Sequence, residues 1–197
     1  MFLSSRPTKT EIDAFLEKRK VDLYSYSEVG GSRNAPFPNG YNIDHNRQVL
    51  GRGEEDFELA KDAMRRWAMF DVPGLQLFYP DTPIETGREV AILAHHLGFY
   101  SLNSCRIVYV IEWPRRLGFA YGTLTEHVEI GEERFLIDFH RDTGDVSYDI
   151  LAFSRPAHAL VKLGYPYGRY LQRQFARGSM ESMRQAVAKS TEGAAVI

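Results

Sequence analysis

Residues 154–189, SRPAHALVKLGYPYGRYLQRQFARGSMESMRQAVAK, decide how the chain folds. Ser154 before Arg155-Pro156 has the chemistry of an N-cap followed by Pro in the first turn, which predicts a short helix there. Gly164-Tyr165-Pro166 breaks that piece and lets Pro open another. From Tyr167 to Val187 the apolar residues Tyr167, Leu171, Phe175, Met183 and Val187 recur at helical spacing, flanked by Ala176, Met180 and Ala186. Arg169, Arg173, Arg177 and Arg184 line much of the other face. A helix this long and one-sided needs a broad apolar surface to lie on. The stretch from Val90 to Phe153 can supply it as a twisted sheet curled around the helix.

That stretch reads as an antiparallel meander. Strands are expected over Glu89–His95, Asn103–Trp113, Phe119–Glu129, Glu133–His140 and Asp145–Phe153. Ile130-Gly131-Glu132 and Asp142-Thr143-Gly144 serve as turn signals. Side-chain parity puts Phe119, Tyr121, Thr123 and His127, then Glu133, Phe135, Ile137 and Phe139, then Val146, Tyr148 and Ile150 on a common face. Such a face describes a mostly apolar pocket with a polar mouth, and equally a closed core.

Upstream, Thr8-Lys9-Thr10-Glu11 matches a capping box and opens a helix to about Lys20. Residues 24–46 carry Gly30-Gly31, Pro36, Pro38 and Asn39-Gly40, the marks of turns and extended chain. Tyr24, Tyr26, Phe37 and Tyr41 would tie this arm to the body. Gln48–Gly53 reads as a short strand. A helix then opens on Glu54-Glu55-Asp56, buries Phe57, Ala60, Met64, Trp67 and Ala68, and stops at Pro73-Gly74. Leu75–Tyr79 is a further strand. With no alternating βαβ rhythm, the class is α+β, with 1–197 as a single domain and 1–47 as its N-terminal helix and arm.

Composition excludes several functions. The 197 residues are 44% hydrophobic and 25% charged, with a net charge of -2, so nothing draws the whole chain to nucleic acid or an anionic membrane. A single cysteine, Cys105, forms no internal disulfide and fits a reducing, cytoplasmic setting. No apolar run reaches membrane-spanning length, so no integral membrane association is expected, and Met1-Phe2-Leu3 is no signal-peptide core.

Four clusters carry possible chemistry. Asn42, Asp44, His45 and Arg47 crowd hydrogen-bonding groups into a loop, where Asp44 could orient His45 or pair with Arg47. His127, Glu129 and Glu133 sit at one hairpin end, where two close carboxylates would bind a shared proton. They are a weak metal set, and the adjacent His95 and His96 point to opposite faces, so no metal site is assigned. Arg106, beside Asn103, could meet a carboxylate head group if it points inward. The arginine stripe is a candidate surface for a protein partner, although the stripe lacks interleaved aromatics and Glu181 interrupts it, against nucleic acid. Leu50-Gly51-Arg52-Gly53 has Asp56 and two glutamates where a pyrophosphate would sit, so no cofactor is assigned.

Tyr41-Asn42-Ile43-Asp44-His45-Asn46-Arg47, Leu50-Gly51-Arg52-Gly53, Arg106-Ile107-Val108-Tyr109-Val110, Gly118-Phe119-Ala120-Tyr121-Gly122-Thr123-Leu124, Gly131-Glu132-Glu133-Arg134-Phe135 and Ala152-Phe153-Ser154-Arg155-Pro156 together resemble the family called domain of unknown function 1990. The resemblance runs from about Tyr24 to Ala188. It implies the START-like, or helix-grip, architecture of lipid-binding and pollen-allergen-type proteins. The implied cavity lies between sheet and C-terminal helix and takes a small hydrophobic or amphipathic ligand. Asp44, Arg47, Arg106, Tyr109, Tyr121, Thr123, Phe135 and Tyr148 are the expected ligand-binding residues. Because cyclases also use this scaffold, an enzyme of cyclase- or hydrolase-like acid–base chemistry is the alternative, with His45, His127 or Glu133 as the catalytic acid or base.

Overall fold

The computed structural model describes residues 1–157 and 165–194. In order, β1 (Phe2–Leu3) and α1 (Lys9–Arg19) precede β2 (Asn42–Arg52) and α2 (Gly53–Arg65); a 3-10 turn (Ala68–Phe70) leads to β3 (Leu75–Phe78). The meander follows as β4 (Glu89–His96), β5 (Phe99–Trp113), β6 (Arg116–Thr123), β7 (Glu129–Phe139) and β8 (Asp145–Pro156), and α3 (Tyr165–Ala194) closes the described chain. The strands form one eight-stranded antiparallel sheet in the order β2-β8-β7-β6-β5-β4-β3, with β1 paired to β5. The sheet curls into a half-barrel around α3: this is the helix-grip fold, α+β in class.

Local chemistry accounts for most element ends. Thr8 caps α1, its hydroxyl accepting from the Glu11 N–H while the Glu11 side chain accepts from the Thr8 N–H, the reciprocal box that the sequence announces. α2 begins one residue before its three acids and ends sooner than the apolar spacing implies. Trp67 takes a left-handed backbone (φ 57°) and starts the 3-10 turn, so Trp67 is buried and Ala68 half-buried from outside the helix.

Three boundaries differ from the sequence reading for physical reasons. Ser154 caps no helix: β8 continues through it, with Ser154 paired to Asn42 on one side and Gly131 on the other. The remainder of the expected short helix, from 158 to 164, lies outside the described residues. Gly131 is no hairpin turn but an interior residue of β7, where a Cβ would stand 1.9 Å from the Phe153 carbonyl oxygen. The glycine is there to let β8 approach, and the reversal between β6 and β7 falls at 124–128 instead. Finally, Asn42–Arg47 is the first half of strand β2 and not a loop.

The main core fills the concave side. Phe57, Ala60 and Met64 of α2, Trp67 and Phe70 of the 3-10 turn, and Met180, Met183 and Val187 of α3 meet Ile107, Phe119, Phe135, Ile137, Tyr148 and Ile150 of the sheet. The Tyr148 hydroxyl, fully buried, lies 2.9 Å from the Ser179 hydroxyl, so the helix is registered on the sheet by a satisfied polar pair. Gly178 permits the close approach beside it, since a Cβ there would meet Val72 Cγ1 at 2.6 Å.

The convex side is covered as well. Ile12 and Phe15 of α1 pack on Ala91, Leu93 and Leu102. The arm from Tyr24 to Tyr41 lies across β6–β8, with Tyr26 and Tyr41 edge-on to Phe153 at 5.6 and 5.0 Å. Its anchor is Glu132, 2% exposed. That carboxylate accepts from the Tyr26 hydroxyl (2.7 Å), the Gly30 N–H (2.7 Å), the Ser32 N–H (3.0 Å) and the Ser32 hydroxyl (2.5 Å). Replacing Glu132 by Ala strands these buried donors, and we expect a loss of about 3–5 kcal/mol in urea unfolding. Protease cleavage within residues 24–41 should rise in the same variant, while Glu132→Gln, which keeps an acceptor, should lose less than half as much.

Candidate functional site

The core does not reach the whole concave face. Beyond Phe70 and Phe175 a cavity of about 790 Å³ remains between the sheet and the first turns of α3. Its apolar wall is Phe70, Leu75, Ile92, Ile150, Leu171 and Phe175. Toward the mouth stand Phe2 and Phe99, both more than half exposed. Polar groups converge from β2, β6, β7 and α3: Asp44, Tyr121, Thr123, Glu129, Glu133 and Gln172.

Strand pairing places the central pair. Tyr121 and Glu133 stand opposite one another across β6 and β7, and the Tyr121 hydroxyl donates to Glu133 Oε2 at 2.7 Å. Glu133 is reached only partly by solvent, and desolvation pushes its carboxyl up to about 7 against the hydrogen bond from Tyr121, which pulls it down. Glu129 lies four residues earlier on the same face of β7. Burial raises it too, to about 7, opposed by the nearby Arg169 charge. The two carboxylates are roughly 13 Å apart along the strand at about 3.3 Å per residue, so each is raised by its own surroundings and not by sharing a proton. Opposite β7, Asp44 accepts from both terminal nitrogens of Arg169, the Oδ1 contact being 2.6 Å, which ties edge strand β2 to α3 over the cavity.

His127 lies in the β6–β7 turn at one end of the cavity, its Nδ1 3.0 Å from the Glu129 amide nitrogen. Burial lowers it to about 4, so it is a neutral imidazole at physiological pH. His96, also at the wall, is lowered by burial and by His95. Among the described residues no three His, Cys, Asp or Glu side chains gather as a metal site, and no helix is long and apolar enough to cross a membrane.

Of the expected residues, Asp44, Tyr121, Thr123, His127 and Glu133 line the cavity. Phe135 and Tyr148 share their face but are sealed in the core under Phe70 and α3. His45, Arg47, Arg106 and Tyr109 lie on the convex side. Being neighbours in a strand, Asp44 and His45 face opposite ways, so Asp44 cannot orient His45; His45 Nε2 meets Asp149 at 2.5 Å instead. Arg47 is drawn to Asp138, 3.5 Å away. Arg106 pairs with Glu89 at 2.5 Å and donates to the carbonyls of Arg19, Lys20 and Asp22, holding the end of α1. Tyr109 is turned outward by a bulge between Ile107 and Tyr109, and its hydroxyl lies 2.7 Å from the Ser32 hydroxyl. Of the arginine stripe, Arg169 pairs with Asp44 and Arg184 with Glu181, while Arg173 and Arg177 are exposed at the cavity's edge.

The reading of the sequence missed Asn46, Phe70 and Phe175 as cavity residues. Asn46 follows from Asp44 by strand parity once Asn42–Arg52 is a strand. Phe70 depends on the left-handed Trp67, for which the sequence has no signal.

The raised carboxyl of Glu133 has a stability consequence. Its folded value lies above the unfolded one, so the folded state holds the proton more tightly. The stabilisation is complete below about pH 4.5 and is lost as pH rises through about 7. Glu133→Gln should therefore flatten this loss. In urea unfolding at pH 8 we expect the variant to be more stable than the parent by about 2 kcal/mol, below the full value of the shift because cavity water screens the charge. At pH 4.5 the two should nearly coincide.

Comparison with known proteins agrees with this architecture. The chain is 33% identical to a UPF0548 protein of Dictyostelium discoideum over 95% of its own length and 96% of the relative's. It is 35% identical to a UPF0548 protein of Deinococcus radiodurans, over 90% and 94% of the two lengths. Among solved structures, that of Ara h 8.0201 superposes with a TM-score of 0.50 at 11% identity, covering 76% of this chain and 99% of that one, a likeness of fold. Residues 25–182 match the family described as "Domain of unknown function (DUF1990)", and the chain belongs to that family.

Proposed function

We propose that the protein binds a small hydrophobic or amphipathic molecule in the cavity between the sheet and α3. The observation that supports this reading is the cavity of about 790 Å³ itself, within the range of ligand sites, walled by aliphatic and aromatic side chains with a few converging polar groups. A packed core leaves few voids larger than a water molecule, so a space of this size beside the close-packed part of the helix stands apart from the core and has room for a ligand.

Acid–base catalysis in the same cavity is the second reading, favoured by one observation: Glu133 carries a carboxyl raised to about 7 and hydrogen-bonded to Tyr121, the property wanted of a general acid or base near neutral pH. Glu133 would exchange the proton and Tyr121 would hold it in place. His45, on the convex face, takes no part.

Native mass spectrometry of gently purified protein tests the binding reading, and we expect an additional mass in the lipid, isoprenoid or polyketide range. A matching ligand at about 100 times its Kd should raise the Tm by roughly 5–10 °C. Ala176 lines the cavity from α3, and Ala176→Phe should fill the space, abolish the bound mass and leave the Tm of the empty protein unchanged or higher. An empty spectrum with no thermal shift across alkyl, isoprenoid and aromatic probes would overturn the reading.

A further inference from the structure

We infer that the cavity selects amphipathic molecules whose head is a cationic ammonium group, seated on Glu133 beside the rings of Tyr121, Phe70 and Phe175; this rests on the ligand-binding reading above. The first observation is a charge imbalance inside the cavity. Three carboxylates face it, from Asp44, Glu129 and Glu133, and the Asp44 charge is already taken by Arg169. Arg169 lies near enough to Glu129 to favour its charge but is committed to Asp44. Glu133 has one neutral partner, the Tyr121 hydroxyl, and among the described residues no cation lies within ion-pairing distance of it. A buried carboxylate without a counter-ion is costly, and an ammonium group placed beside it removes that cost.

The second observation is the ring cluster. Phe70 stands 6.1 Å from Tyr121 and 5.5 Å from Phe175, centroid to centroid, so a cluster of rings borders the cavity beside the Tyr121–Glu133 pair. Ammonium groups are attracted to such faces and carboxylates are not. An alkyl carboxylate would meet Glu129 and Glu133 inside, and its better position is at the edge beside Arg173 and Arg177.

Burial sets the protonation of other titratable groups at or near this space. Burial holds His127 down at about 4 and lowers His96. Burial likewise raises the Cys105 thiol and the phenols of Tyr121 and Tyr148, which stay neutral. Asp44 is ion-paired with Arg169, and Arg173 and Arg177 stand at the cavity's edge. Proton uptake by Glu129 and Glu133 then sets the pH dependence: a head of fixed positive charge must displace protons to bind below about pH 7.

The test is calorimetric titration of the intact protein with decyltrimethylammonium, decanol and decanoate, each below its micelle concentration. At pH 8 we expect the cation to bind at least tenfold more tightly than decanol, and decanoate most weakly. Lowering the pH to 5.5 should weaken the cation about tenfold or more and leave decanol unchanged. Glu133→Gln, which can still accept from Tyr121, should bring the cation close to decanol and spare decanol. The pH series uses the unaltered chain and stands even if the variant folds poorly. Decanol binding without preference for the cation, or decanoate binding more tightly than the cation, overturns the amine assignment and leaves the ligand-binding reading in place. Binding by none of the three overturns both.

Discussion

A curled sheet has more concave surface than a single helix can cover, and that mismatch governs this molecule. α2 and the 3-10 turn plug one end of the half-barrel, where Phe57, Met64 and Trp67 meet the sheet. Met180, Met183 and Val187 of α3 seal the middle. Nothing among the described residues fills the remainder, and the cavity is the geometric residue of the gripping arrangement. The anchors are few and specific: the Tyr148–Ser179 hydroxyl pair, the Ser182 hydroxyl donating to the Ala68 carbonyl at 2.7 Å, and the bidentate Asp44–Arg169 pair over the open part. The last of these ties the sheet's edge strand to the helix.

Polar side chains divide cleanly between the two faces, and the division separates architecture from chemistry. On the convex face, charge serves as glue. Arg106 gathers the end of α1, Glu132 gathers the arm, and Arg134 joins the Ser32 and Arg33 carbonyls to Asp149. Each of these charges is met by several protein partners, although the buried Arg134 Nε has none among the described residues. On the concave face, Glu129 and Glu133 have few partners, and their affinity for protons shows it. Incomplete satisfaction of a buried group is what separates a candidate site from structure here, and amino-acid type alone does not.

The fold was legible because its signals are periodic. The 3.6-residue stripe of Tyr167–Val187 and the two-residue alternation of Phe119–Thr123 and Val146–Ile150 were enough to put a helix on a sheet, and the same alternation correctly faced Tyr121 and Glu133 inward. The failures come from places where one residue breaks the period. A bulge beyond Ile107 turns Tyr109 outward, and Gly131 in mid-strand resembles a turn. The first half of β2, Asn42–Arg47, reads as a loop because both of its faces are polar, one open to solvent and one lining the cavity. A strand bordering an unfilled cavity lacks the apolar alternation by which strands are recognised, so the feature that marks the site also hides its boundary.

Glu132 and Glu133 are adjacent, identical in chemistry and opposite in circumstance: one holds four donors on the convex side, the other faces the cavity across from Tyr121. Sliding β7 by one residue against β6 would exchange them. One direction of slip would put Glu133 in the place of Glu132 and still offer the arm a carboxylate, whereas the other would put Gly131 there and leave the arm's donors without an acceptor. Strand pairing in which every side chain changes face on a one-step error is ordinarily policed by apolar burial. Here the arm adds an electrostatic check on one of the two slips: with Gly131 in that place the Tyr26, Gly30 and Ser32 donors lose their common acceptor.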